Sequence, residues 1–122
     1  MDKSDTNKLL DFILESIRHI RFRFQPISCS DDFLKNEENL MRLDSISMRL
    51  QAIGEAIKNI YKKNDKLLLK VNDKEYWSKI IRTREILSHH YIDVDSEIIY
   101  EICANKLAEL EKLIRKLKEL ND

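Results

Sequence analysis

The 122-residue chain predicts an all-α fold, an antiparallel bundle of four to five helices. Three observations carry that expectation. There is one Gly (Gly54) and one Pro (Pro26), so tight hairpin turns have few places to form. Charged residues make up 36% of the chain, which suits exposed helix faces. Apolar residues recur in steps of three and four along several long stretches, the period of a helix with one buried side. The length fits a single domain over residues 1–122, able to fold without disulfides or a structural metal.

The first stretch spans about Thr6 to Phe24, with Leu10, Ile13, Leu14, Ile17, Ile20 and Phe24 on one stripe. It stops at Gln25-Pro26, because a proline ring disfavours helical geometry in the residue before it. Ser30-Asp31-Asp32 offers capping oxygens for a short turn around Phe33-Leu34. A second stretch begins near Asn36 and reaches about Lys63. Its Leu43, Ile46, Leu50, Ile53, Ile57 and Ile60 form one continuous seam. Gly54 lies inside that helix, where it costs about 1 kcal/mol against Ala, and its presence points to close approach of another helix. Asn64-Asp65 and Leu67-Leu68-Leu69 read as a connector. Asn72 and Glu75 read as a capping pair for a third helix, with Trp77, Ile80, Ile81 and Leu87 inward. Its regularity fades at His89-His90-Tyr91. Asp93 and Asp95 can cap a last helix that runs to about Leu120, with Ile99, Ile102, Leu110, Ile114 and Leu117 inward. Short joints make an antiparallel bundle the economical arrangement.

Formal net charge is zero, but its distribution is uneven. From Lys58 to Arg84 nine Lys/Arg face three Asp/Glu, an excess of +6, while the flanking segments carry −2 and −4. Such a middle can attract phosphates, although a solvated charged face accounts for most of its lysines. Cys29 and Cys103 stand alone, with no Cys/His cluster at metal-ligand spacing. The polar start Met1-Asp2-Lys3-Ser4-Asp5 lacks the apolar stretch of a signal peptide, and no apolar run is long enough to span a bilayer. A cytoplasmic location is the expectation.

Chemistry concentrates in Arg82-Thr83-Arg84-Glu85-Ile86-Leu87-Ser88-His89-His90-Tyr91. Arginine holds a phosphate through a planar, permanently charged fork, and histidine exchanges a proton near neutral pH. Together they can bind a phosphodiester and move protons at it without a metal. Helix geometry sets a constraint, because Arg84 and His89 lie about 140° apart around the axis. Either the helix loosens near Ser88, or a second protomer completes the site, and we favour the second protomer. Plainer readings exist: Glu85 and His89 are spaced as a helix-surface pair, and Tyr91 suits a hydrogen-bonded core position.

Arg84-Glu85-Ile86-Leu87-Ser88-His89-His90-Tyr91 resembles the Arg-x4-His-x-Tyr motif of HepT-type HEPN proteins. Arg49-Leu50-Gln51-Ala52-Ile53-Gly54-Glu55-Ala56 is similar to the Ile-Gly-Glu-Ala stretch of that family's second long helix. Tyr76-Trp77-Ser78-Lys79-Ile80-Ile81 resembles the segment before the motif, and Ile92-Asp93-Val94-Asp95 the one after it. The similarity covers nearly the whole chain in order.

The resemblance implies a HEPN bundle that acts as a homodimer and as a metal-independent endoribonuclease, with no cofactor. It implies a toxin neutralised by a small nucleotidyltransferase antitoxin of the MNT kind, which transfers AMP to the motif tyrosine, here Tyr91. Arg84 and His89 are the implied catalytic pair, with Arg82, Glu85 and His90 in supporting roles. The family usually has Asn or Asp where Glu85 stands. Arg82 also fits a looser HEPN spacing to His89. RNA carries its own nucleophile in the 2′-hydroxyl, so His89 would move protons while Arg84 stabilises phosphoryl charge. DNA, lacking that hydroxyl, is not expected as a substrate. The rival reading is a non-catalytic HEPN-like dimer that binds a nucleotide or a partner protein. A third is a plain oligomerisation bundle, which would not need charge gathered at a helix end.

Overall fold

The computed structural model describes residues 2–89 and 95–122. Its elements are α1 (Lys3–Phe24), a 3-10 turn (Ser30–Leu34), α2 (Glu37–Leu68), α3 (Lys74–His89), α4 (Ser96–Asn105) and α5 (Leu107–Asn121). The chain is all-helical among the described residues. α1 and α2 run antiparallel, with Arg42 Nη1 donating to Arg23 O and Arg49 Nη1 to Ser16 Oγ, both at 3.4 Å. α2 and α3 run antiparallel as well, since Ser88 meets Gln51 at one end and Trp77 meets Leu68 at the other.

The expected seam of α2 is real: Leu43, Ile46, Leu50, Ile53, Ile57 and Ile60 are all buried. They join Leu10, Ile13, Ile17 and Ile20 of α1, Trp77 and Leu87 of α3, Ile99 of α4, and Leu107, Leu110, Ile114 and Leu117 of α5. Each fully buried Leu or Ile contributes about 1.5–3 kcal/mol, so this shared seam is the main stabilising contact. Its central position places α2 between α1 and α3.

Three boundaries differ from the sequence expectation. α2 does not end at Lys63; it kinks at Asn64 (φ −154°, ψ 57°) and resumes helix to Leu68. The extra turn buries Leu67 and Leu68 and aims the Leu68 carbonyl at Trp77 Nε1, 3.0 Å away. α3 is capped by Asp73, whose Oδ1 accepts from Tyr76 N at 2.8 Å, while Asn72 accepts from Asp73 N. The last helix is two, broken at Lys106 (φ −122°, ψ −24°). The halves have different partners. α4 packs on the 3-10 turn, where Tyr100 Oη donates to Ser28 O at 2.8 Å and its ring lies 5.3 Å from Phe24. α5 packs on α1 through Leu110, Ile114 and Leu117, with Arg21–Glu111 (2.7 Å) and Lys118–Asp11 ion pairs. One straight helix cannot serve both. Asp95 caps α4 as expected, accepting from Glu97 N and Ile98 N, whereas Asp93 lies outside the described residues.

Among the described residues no helix is long and apolar enough to cross a membrane. Cys29 and Cys103 are free thiols, and burial pushes Cys103 up to about 12.

Candidate active site

Arg84 sits where α3 crosses α2, and Gly54 makes the crossing possible. A Cβ on Gly54 would lie 2.3 Å from Arg84 Cβ and 2.7 Å from its Cγ, far inside van der Waals contact. The stem of Arg84 therefore rests on bare α2 backbone. Its guanidinium Nη2 lies 2.6 Å from Glu55 Oε2, with 26% of the side chain exposed. The contact is an ion pair by distance; Glu55 Oε2 is buried and receives no well-directed hydrogen bond. One turn along α3 from Arg84, Ser88 Oγ donates to Gln51 Oε1 at 3.2 Å. Gln51, Gly54 and Glu55 share one flank of α2, and Arg84 and Ser88 one face of α3.

The other sequence candidates fall elsewhere or outside the described region. Arg82 is exposed and stands about 160° from Arg84 around the axis, away from this crossing. Glu85 is exposed next to it. The backbone of α3 is helical through His89, so it does not loosen at Ser88. The side chain of His89, and all of His90 and Tyr91, lie outside the described residues. What the structure brings together is Arg84, Glu55, Gln51 and Ser88. Reasoning from the motif missed the last three as neighbours, yet Gln51 and Glu55 lie in the Arg49–Ala56 stretch on which the family resemblance partly rests.

Met48, Ala52 and Glu55 recur along the outward side of α2, leading away from the Arg84 crossing, and Met48 is largely exposed. The basic excess lies mostly at the far end of the α2–α3 hairpin. Lys62, Lys63, Lys66, Lys70 and Lys74 are exposed there, and Lys74 is about 15 Å along α3 from Arg84. Those lysines form a solvated face.

A family model described as ribonuclease HepT-like matches residues 13–117. A candidate RNase of Methanocaldococcus jannaschii is 30% identical over 122 residues, covering 97% of this chain and 94% of its own. A candidate RNase of Caldanaerobacter subterraneus subsp. tengcongensis is 28% identical over 107 residues, covering 88% of this chain and 82% of its own. A further M. jannaschii protein, named as a gamma-glutamylcyclotransferase and candidate RNase, is 29% identical over 120 residues, 96% of this chain and 49% of its own. No solved structure matches. The family match contains all of α2 and α3, and with them the Gly54–Glu55–Arg84 crossing. This chain belongs to the HepT-like ribonuclease family.

Proposed function

We propose that the chain is a metal-independent endoribonuclease of the HEPN kind, active as a homodimer through Arg84 and His89. The observation that carries this reading is the fixed placement of Arg84, clamped between bare backbone at Gly54 and the Glu55 carboxylate while part of its guanidinium stays open. Glu55 meets one nitrogen of the fork, leaving other N–H groups for phosphoryl oxygens. In the reaction the 2′-hydroxyl attacks the adjacent phosphorus as one His89 takes its proton. The P–O5′ bond breaks, and the leaving oxygen receives a proton from the second His89. The products are a 2′,3′-cyclic phosphate and a 5′-hydroxyl. Arg84 stabilises charge growing on the phosphoryl oxygens.

Two features support the homodimer. With α3 helical through His89, Arg84 and His89 stay about 140° apart on one chain. The exposed Met48, about 10 Å along α2 from Glu55, offers apolar surface for a symmetric contact. In this reading the chain is a single-domain, cytoplasmic toxin, and its antitoxin is a nucleotidyltransferase of the MNT kind. AMP added to Tyr91 would bring a bulky anion against the arginine and repel the RNA backbone.

The test is cleavage of a defined RNA by purified protein in the presence of EDTA, with the ends of the products analysed. Cyclic-phosphate ends, lost in Arg84→Ala and in His89→Ala, are expected. Intact RNA with the parent protein, or cleavage that EDTA stops, would refute the reading. Co-expression with the antitoxin should add AMP-sized mass increments to a Tyr91 peptide, absent in Tyr91→Phe. An unmodified Tyr91 would remove the regulatory half.

A further inference from the structure

We propose that the groove between α1 and α2, on the opposite flank of α2 from Arg84, is a second RNA-contacting surface that holds the sugar–phosphate backbone of a single strand. The choice of RNA rests on the ribonuclease reading. The groove itself does not.

The groove has a volume of about 620 Å³, and its walls include Arg18, His19, Phe22 and Arg23 of α1 with Met41 and Arg42 of α2. Arg49 adjoins it, reaching Ser16 from α2. Three guanidinium groups from two helices thus line one channel, and a fourth, that of Arg49, acts on His19 from beside it. Two carboxylates face them: Glu15 pairs with Arg18 at 2.6 Å and lies 3.3 Å from His19, and Glu38 pairs with Arg42 at 2.9 Å. Both arginine pairs are exposed contacts one turn apart on a single helix, of the kind that contributes little and exchanges readily for a phosphate. Among the described residues Arg23 and Arg49 have no carboxylate at ion-pair distance. Arg23 Nη1 and Arg42 Nε are buried nitrogens without an acceptor.

Burial and the charges of Arg49, Arg18 and Arg23 hold the His19 imidazole below its ordinary value. A neutral ring can accept as well as donate a hydrogen bond to a base. Phe22 is 70% exposed at the rim and offers a face for base stacking. Phosphate-binding forks, a neutral imidazole and an open aromatic ring together match an unpaired strand better than a purely acidic peptide. Arg49 lies only about 9 Å along α2 from Glu55, so a short strand can reach from the groove towards the arginine site.

The test uses a labelled oligonucleotide of about twelve residues, fully 2′-O-methylated so that it cannot be cut, with binding followed by fluorescence anisotropy across salt concentrations. The variant Arg18→Gln/Arg23→Gln/Arg49→Gln keeps Arg42 and its bond to the Arg23 carbonyl. Its affinity should fall tenfold or more, and the slope of log K against log salt should shrink by about 2, the value for three lost phosphate contacts on a single strand. Lys62→Gln/Lys63→Gln/Lys66→Gln removes the same charge at the far hairpin end and should change affinity far less. Phe22→Ala, an exposed change that spares the core, should weaken binding at least about fivefold through lost stacking. Unchanged affinity in the arginine and Phe22 variants would overturn the proposal, as would equal losses in the arginine and lysine variants. So would loss of binding to a polyglutamate peptide with oligonucleotide binding intact, which would assign the groove to an acidic protein segment. If the parent protein binds the oligonucleotide through this groove but cuts no RNA, the ribonuclease reading fails and the groove stands.

Discussion

The two flanks of α2 both carry arginine, and they hold it in different ways. On the flank facing α3, Arg84 lies on glycine backbone, meets Glu55 at 2.6 Å and sits one turn from the Ser88–Gln51 hydrogen bond. On the flank facing α1, the guanidinium groups of Arg18, Arg23 and Arg42 line an open channel, and the carboxylates paired with Arg18 and Arg42 form surface contacts. A group that stabilises a transition state must be placed before the reaction begins, because an error of about 1 Å can cost about 100-fold in rate. A group that holds a polymer backbone needs charge and reach. The contrast assigns chemistry to one flank and grip to the other.

The largest expected effect separates the flanks directly. Arg84→Ala should lower the cleavage rate at saturating RNA by about 10²- to 10³-fold with the helical circular dichroism unchanged. Arg49→Ala should act chiefly on the RNA concentration needed. Should Arg82→Ala be the damaging change and Arg84→Ala silent, the α2–α3 crossing is structural only.

Next comes Gly54→Ala. Its methyl would collide with the rigid base of the Arg84 side chain rather than with a flexible tip. Overpacking costs about 1–3 kcal/mol, offset by about 1 kcal/mol of better helix propensity. The melting temperature should drop by a few degrees, and cleavage should suffer more than stability does. A higher melting temperature with full activity would mean that α3 does not lie on α2 at this point.

Glu55→Gln should be milder. The pair is partly exposed, so its loss should cost no more than about 1 kcal/mol in a urea titration. If Glu55 orients the fork, turnover falls while the apparent affinity for RNA stays the same. Tighter RNA binding with unchanged turnover would instead make Glu55 a competitor for Arg84.

The smallest effect lies at the joint between α1 and α2. The Lys35 ammonium, with help from the Ser28 amide, pulls the Asp32 carboxyl down from 3.8 to about 2. A lowered pKa contributes stability that is complete above the ordinary value and is lost as pH falls through the lowered one. Urea midpoints should therefore decline between about pH 4 and pH 2, and Asp32→Asn should flatten that part of the curve. An unchanged slope in the variant would show that other carboxylates govern the acid limb.

Much of this molecule was written in local patterns. The stop before Pro26, the helical period of the α2 seam and the Asp95 cap each depend on residues within a turn or two of one another, and a glycine inside a helix marked where a neighbour could come close. Helix period, capping and proline geometry are local physics, so they are legible along the chain. Tertiary contacts decided the rest. Lys106 breaks the last helix because α4 and α5 pack on different neighbours, and α2 runs on past Asn64 because Leu67 and Leu68 find a place in the core. Glu55 meets Arg84 only because two antiparallel helices cross on a glycine. Charge misleads most when counted along the chain. Residues 1–57 carry a net −2, yet antiparallel packing of α1 on α2 gathers four of their arginines around one groove. The contiguous +6 segment, by contrast, ends mostly on a solvated hairpin tip. Coulomb interactions act through space, and only the fold sets those distances.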